Sequence, residues 1–112
     1  LEEYREGTKI LGDMLSSPLY NEKLSSMGAD FFEILFAEAV QIAEERNVAL
    51  YCGEYGVIDK APIKSTLRWY RDIHAAFEKY GIGRAAWSYK EMDFGLIGEH
   101  YAPIYKELIQ LL

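Results

Sequence analysis

Apolar residues recur at helical spacing in two long stretches of the chain, and polar residues fill the opposite face. In the first stretch the apolar positions are Phe32, Leu35, Phe36, Ala39, Ile42 and Ala43. Asp30 precedes them and Glu33 follows three residues later, which is the pattern of a capping box. Asn47 ends the stretch, so the pattern predicts an amphipathic helix from about 31 to 46.

The second stretch lies between Pro62 and Gly81. Pro62 suits the first turn of a helix, and Gly81 suits the position just after its last turn. The apolar positions between them repeat every three or four residues, as Ile63, Leu67, Tyr70, Ile73 and Phe77. A shorter helix is predicted to open at Pro103, with inward-facing Ile104, Leu108, Leu111 and Leu112.

Two short apolar runs between these helices have the composition of β-strands. The run from Val48 to Val57 holds Val-Ala-Leu-Tyr-Cys before its first glycine, and predicts a strand at 48–53 buried on both faces. The second run predicts a strand from Arg84 to Tyr89, followed by a loop from Lys90 to His100. The order helix, strand, helix, strand, helix is typical of an α/β fold with parallel strands.

Residues 1–29 form a separate segment with a weaker pattern. Ile10, Leu11, Met14 and Leu15 have helical spacing, which predicts a short helix that Ser16-Ser17-Pro18 would end. Leu19 to Gly28 is predicted to be an irregular loop. The domain organisation expected from the sequence is therefore a loop and short helix over 1–29, followed by β/α units over 30–112.

The composition narrows the class of protein. At 112 residues with half of them hydrophobic, the chain can form one small folded domain. Its net charge of -6 argues against nucleic acid and against an anionic membrane surface as partners. No apolar run approaches the ~20 residues that span a bilayer. The start at Leu1, without an initiator methionine or signal peptide, indicates a fragment or a processed chain.

Two residues at strand ends are candidates for chemistry, Glu54 after the first strand and Trp87 on the second. A carboxylate is costly to desolvate, so a Glu at a strand end needs a partner or a function. An aromatic plane beside a carboxylate is one way to hold a sugar, because the ring covers the apolar C–H face. The alternatives are that Glu54 pairs with Arg84 or caps the next helix, and that Trp87 belongs to the core.

Other candidates have equally good structural explanations. The side chains of Tyr55 and Tyr89 can hydrogen-bond a sugar or Glu54, or simply pack. Asp93 can bond a hydroxyl or cap a turn, and Lys90 can reach a substrate or pair with Glu91 or Asp93. We expect Cys52 to be a small buried hydrophobe, His74 a half-buried helix residue, and His100 a packing residue of the last loop. The two histidines lack a metal-ligand spacing, so no metal and no cofactor is predicted.

Three short motifs together resemble glycoside hydrolase family 5, the cellulase family. They are Cys-Gly-Glu-Tyr-Gly at 52–56, Ala-Trp-Ser-Tyr-Lys at 86–90 and Met-Asp-Phe-Gly-Leu at 92–96. The resemblance extends from Asp30 to Leu112 and covers the first 29 residues poorly. It implies an α/β fold that is the C-terminal fragment of a (β/α)8 TIM barrel, namely about the last two β/α units with a preceding helix.

The resemblance also implies roles for individual residues. Glu54 takes the position of the nucleophile of a retaining glycosidase, and Trp87 takes the position of the residue that stacks on the sugar. The family's acid/base is a second Glu that follows an Asn at the end of an earlier strand. Asn21-Glu22 stands in a loop-like stretch and is not assigned that role, so the isolated chain is expected to lack turnover.

Three hypotheses follow from the sequence. The chain is the C-terminal part of a cellulase-like enzyme acting on a polysaccharide or oligosaccharide, a non-catalytic carbohydrate-binding piece that uses Trp87, or a β/α fragment that only assembles with other chains. Because two strands cannot close a barrel, the expected partners are the missing N-terminal barrel segments or further copies of the chain, as a homo-oligomer. The parent enzyme is suspected to be secreted or extracellular.

Overall fold

The structure is a computed structural model that describes residues 2, 24 and 26–112. The predicted helix around Ile10, the pair Asn21-Glu22 and most of the predicted loop at 19–28 lie outside these residues. The chain divides into two compact units, Leu1–Asn47 and Val48–Leu112. The predicted domain boundary between residues 29 and 30 stays a prediction.

The described part of the first unit contains helix α1, Ala29–Arg46. The helix begins after Gly28, which makes no side-chain cap, so the predicted capping box at Asp30 is wrong. Asp30 instead lies in the first turn, where its negative charge favours the positive end of the helix dipole. Asn47 ends the helix in a left-handed conformation with φ 51°, as predicted.

The apolar face of α1 is only partly buried. Phe31 and Phe32 are buried with their rings edge to face, 5.3 Å between centroids, and Ala43 is buried further along. Leu35 and Ile42 belong to the same predicted stripe, yet each is 40% exposed. None of the helices among the described residues is long and apolar enough to cross a membrane.

The second unit is built on β1, Tyr51–Tyr55, helix α2, Ile63–Tyr80, and β2, Gly83–Ala86. Helix α2 has the predicted limits, with Pro62 at its N-cap and Gly81 in a left-handed conformation at its C-cap. Its buried face contains Thr66, Leu67, Tyr70, Ile73, Ala76 and Phe77. Local signals therefore define this helix, because its caps and its apolar stripe agree with each other.

The two strands pair in parallel, as the element order predicts. Tyr51 aligns with Gly83, Cys52 with Arg84, and Tyr55 with Ala86, so β1 has one extra residue between its second and third pairs. This bulge places both Cys52 and Tyr55 on the face of the sheet towards α2. The Tyr55 ring lies 5.0 Å from that of Phe77, which confirms the direction of this face.

The strand limits and their burial differ from the prediction. The first strand begins at Tyr51 rather than at residue 48, and the second ends at Ala86, before Trp87. Of the residues in β1 only Tyr55 is buried, and Tyr51 is 68% exposed. The prediction of a strand covered on both faces is therefore wrong for the described chain, because α2 covers one face and the other is open.

A 3-10 turn, Ala102–Ile104, and a one-turn helix α3, Tyr105–Leu108, follow the long loop. Ile104 and Leu108 are buried as predicted, whereas Leu112 is 36% exposed. The segment after α3 is held by side chains of the core. Arg84 Nε donates to the backbone oxygen of Leu112 at 2.8 Å, and His74 Nδ1 lies 3.1 Å from the Leu111 oxygen.

Gly81, the C-cap of α2, provides a test of how this helix ends. Gly81 has φ 61°, and a Cβ added there would meet no heavy atom within 4 Å, so Gly81→Ala introduces backbone strain without a clash. We expect it to lower the free energy of unfolding by about 1 kcal/mol, measured by urea titration. Gly98→Ala is the control, since its φ is ordinary and the nearest atom is 3.9 Å away. Equal losses of unfolding free energy in Gly81→Ala and Gly98→Ala would contradict the role of left-handed Gly81 as the C-cap.

Candidate active site

The ends of β1 and β2 are joined by close backbone contacts. The Trp87 N–H donates to the Tyr55 carbonyl at 2.8 Å, one step beyond the last strand pair. A Cβ at Gly56 would lie 2.4 Å from the Trp87 carbonyl oxygen, which no side chain can tolerate. Only glycine therefore permits the two strand ends to approach this closely, and this explains the second glycine of the Gly-Glu-Tyr-Gly motif.

Glu54 and Trp87 are both exposed and stand next to the paired strand ends. Glu54 immediately precedes the buried Tyr55, within the stretch of β1 that contains the bulge. Trp87 immediately follows Ala86, the residue that pairs with Tyr55. Among the described residues the Glu54 carboxylate makes no hydrogen bond or ion pair, and it is exposed. The ends of the two parallel strands therefore carry an exposed carboxylate and a part-exposed indole.

The structural alternatives for Glu54 are both contradicted. Arg84 lies on the α2 face, where Nη1 donates to the Glu78 carboxylate at 2.8 Å. This hydrogen bond and the charge of Arg84 lower the pKa of Glu78 below its ordinary value. The next helix takes Pro62 as its N-cap without any side-chain cap, so Glu54 does not cap it either.

The aromatic candidates separate into two groups by burial. Trp87 is 41% exposed and Tyr89 is 73% exposed, so the alternative that Trp87 is a core residue is wrong for this chain. Tyr55 is buried with its ring 5.0 Å from Phe77 and 6.0 Å from Tyr70. Burial raises the pKa of Tyr55, and Arg84 opposes that rise. This environment favours the packing role of Tyr55.

The loop after β2 holds the remaining candidates at its surface. Lys90 Nζ lies 3.9 Å from Glu91 Oε1, one of the pairings left open by the sequence, and both side chains are exposed. The backbone oxygen of Asp93 accepts a hydrogen bond from the Asp59 N–H at 2.7 Å, while its side chain is exposed. The loop is thus tied to the segment after β1 and leaves both charged side chains accessible.

Sequence reasoning missed Tyr101, which supports the segment after β1. The Tyr101 side chain is fully buried, and its hydroxyl donates to the Val57 carbonyl. Burial raises the pKa of Tyr101, and the nearby Asp59 raises it further. No local pattern indicates such a contact, because donor and acceptor are 44 residues apart.

The two histidines contact other side chains, and Cys52 is half-buried rather than the buried residue that the sequence predicts. His74 Nδ1 lies 3.0 Å from Arg84 Nη2, and the His100 ring packs edge-on against Tyr101 with centroids 5.0 Å apart. Cys52 Sγ contacts the Glu54 backbone oxygen at 3.4 Å. Within the part of the chain that the structure describes, no group of three or more His, Cys, Asp and Glu side chains could hold a metal ion.

Curated relatives of this chain are named endoglucanases and a cellodextrinase. Endoglucanase C of Acetivibrio thermocellus is 40% identical over 74 residues, which cover 66% of this chain and 22% of the relative. Cellodextrinase A of Ruminococcus flavefaciens is 46% identical over 54 residues, which cover 48% of this chain and 16% of the relative. The chain therefore spans about a fifth of the length of these relatives. No protein-family model matches it.

A solved structure extends the similarity to the fold. A hyperthermophilic endo-beta-1,4-glucanase in complex with substrate matches with a TM-score of 0.58 at 25% identity. The match covers 63% of this chain and 23% of that one, as expected for part of a larger fold. The resemblance to cellulase-type glycoside hydrolases, predicted from the three motifs, is confirmed by these relatives.

The close approach of the strand ends generates a second prediction. Gly56→Ala places a methyl group against the Trp87 backbone, which cannot move without breaking its bond to Tyr55. We expect it to lower the free energy of unfolding by about 1–3 kcal/mol and to change the Trp87 fluorescence, both measured in urea. Gly53→Ala is the matched control in the same motif, because its nearest neighbour is the Tyr51 ring at 3.7 Å. A smaller cost for Gly56→Ala than for Gly53→Ala would contradict the account.

Proposed function

We propose that this chain is the C-terminal portion of a retaining glycoside hydrolase of family 5, of the endoglucanase or cellulase type. Glu54 is its nucleophile and Trp87 stacks on the sugar. The observation that carries the proposal is the exposed Glu54 carboxylate, without a partner among the described residues, at the end of a strand whose parallel neighbour leads directly into a half-exposed Trp87. The relatives named endoglucanase and cellodextrinase support the class of enzyme.

The reaction that fits these residues proceeds through a covalent intermediate. A Glu54 carboxylate oxygen attacks the anomeric carbon of a β-glycoside, and the bond to the leaving sugar oxygen breaks. A second carboxylic acid protonates that oxygen, then acts as a base when water hydrolyses the glycosyl ester. The Trp87 ring covers the apolar C–H face of the sugar, which fixes the anomeric carbon in front of Glu54.

The exposed loop residues supply polar contacts in this proposal. Tyr89, Lys90 and Asp93 follow Trp87 on the loop that leaves the strand end, and all three side chains are exposed. Their hydroxyl, ammonium and carboxylate groups can bond sugar hydroxyls around the stacked ring. Tyr55 contributes from the opposite face, by packing the strand against α2 rather than by contacting the sugar.

The open sheet face indicates that the site is incomplete in this chain. Two parallel strands with one bare face and free edges require a cover. We propose that the cover is the remainder of a (β/α)8 barrel. The residues matched to the relatives make up only about a fifth of each relative's length, in keeping with this proposal. The second carboxyl group belongs to that remainder, so the 112 residues alone lack hydrolytic turnover.

The open sheet face is equally compatible with the alternative that the chain is a non-catalytic binding or assembly fragment. Further copies of the chain could cover the same face, which would make the isolated chain a homo-oligomer with a binding or assembly role. In the homo-oligomer no second carboxyl group completes the site, so the chain has no hydrolytic turnover; in the complete barrel that group is present. The substrate class of the enzyme is a β-linked polysaccharide or its oligosaccharides, because one relative is named an endoglucanase and another a cellodextrinase.

The proposal predicts the effect of removing the nucleophile. In the protein encoded by the complete reading frame, Glu54→Ala should lower kcat on carboxymethyl cellulose and on an aryl β-cellobioside by at least about 10³-fold, because no covalent intermediate can form. Glu38→Ala removes an exposed carboxylate from α1 and should leave kcat unchanged.

Two outcomes would contradict the proposal. Near wild-type turnover of Glu54→Ala would remove Glu54 from the reaction. Robust hydrolysis by the 112-residue chain, abolished by changing Glu22, would show that the acid/base lies within the chain and that the site is not incomplete.

A further inference from the structure

The segment that follows Glu54 is held by three long-range hydrogen bonds. The Tyr55 carbonyl accepts from the Trp87 N–H, and the Asp59 N–H donates to the Asp93 carbonyl. Between these two backbone contacts, the Val57 carbonyl accepts from the Tyr101 hydroxyl. Of the three, only the bond from Tyr101 is made by a side chain, so it can be removed by a single substitution without altering the backbone.

Tyr101 is a rigid donor. It is fully buried, and its own N–H bonds to the Gly98 carbonyl at 3.2 Å where the 3-10 turn begins. Its ring packs edge-on against His100. Burial and the neighbouring Asp59 raise the pKa of Tyr101, so the hydroxyl keeps its proton and donates throughout the working pH range.

A second buried tyrosine provides a natural comparison. Tyr70 on α2 is also fully buried, and its hydroxyl lies close to the Val57 backbone. That hydroxyl nevertheless has no hydrogen-bond partner among the described residues. Both hydroxyls therefore lie beside Val57: that of Tyr101 makes the hydrogen bond to its carbonyl, while the Val57 backbone opposes the rise that burial causes in the pKa of Tyr70.

We propose that Tyr101 is a positioning residue for Glu54, an inference that rests on the proposed function. Val57 lies three residues after Glu54, and its carbonyl would lose its bond if the Tyr101 hydroxyl were removed. A polar group left without its partner in a half-buried site finds water or another donor by moving. The segment that follows Glu54 then relaxes, and the Glu54 carboxylate loses the position it needs in front of the anomeric carbon.

The experiment measures formation of the covalent intermediate in the protein encoded by the complete reading frame. With 2,4-dinitrophenyl β-cellobioside, a Glu54 oxygen bonds to the anomeric carbon, and dinitrophenolate leaves with the electron pair of the broken C–O bond. No acid is required, so the burst of dinitrophenolate reports on Glu54 alone. We expect Tyr101→Phe to slow the burst by about 10- to 100-fold while the inhibition constant of cellobiose is unchanged.

Two control variants separate positioning from stability. Tyr105→Phe removes the hydroxyl of a part-exposed tyrosine away from Val57, and should leave the burst at the wild-type rate. Ile104→Val removes a buried methylene from the turn that begins at Tyr101, and should lower Tm without slowing the burst measured well below Tm. Equal slowing by Tyr101→Phe and Ile104→Val would overturn the inference in favour of a merely structural role.

The outcomes also distinguish this inference from the proposed function. A burst that persists in Glu54→Ala would refute the assignment of the nucleophile, and the positioning role with it. A burst that is abolished in Glu54→Ala but unchanged in Tyr101→Phe would leave Glu54 as the nucleophile and refute only the role of Tyr101.

Discussion

The backbone contact between the ends of β1 and β2 determines where every candidate site residue lies. The Trp87 N–H bonds to the Tyr55 carbonyl at 2.8 Å, and Gly56 leaves room for the Trp87 carbonyl where a side chain would clash. The register set by this contact aligns Tyr55 with Ala86. Their neighbours Glu54 and Trp87 therefore stand at adjoining strand ends, and both are exposed.

The same register separates structural residues from functional ones. On the α2 face, Tyr55 packs on Phe77, and Arg84 is fixed by Glu78 and by the backbone of Leu112. On that face the charge of Arg84 is paired and the Tyr55 ring is buried. The strand ends hold a carboxylate and an indole that the described residues leave accessible, which is the arrangement expected of a binding surface rather than of a core.

Local signals predicted the helices well and the burial of the strands poorly. Pro62 and Gly81 define α2 from the sequence because caps and apolar spacing are local properties, whereas Gly28 replaced Asp30 as the cap of α1. An apolar run predicts burial without showing what covers it: Tyr51 is exposed in this chain, and the residues matched to Endoglucanase C are only 22% of that relative's length. Glu54 and Trp87 were predicted through motif resemblance, while the bond from Tyr101 to Val57 joins residues too distant for any local pattern.

The central claim is that Glu54 forms a covalent bond to the sugar. The most direct measurement treats the protein encoded by the complete reading frame with a 2-deoxy-2-fluoro-β-cellobioside bearing a dinitrophenolate leaving group, then maps the label by peptide mass spectrometry. The fluorine slows hydrolysis of the glycosyl ester, so the intermediate accumulates. The account predicts one fluorocellobiosyl group on the peptide that contains Glu54. A label on another carboxylate, with Glu54 unmodified, would contradict it.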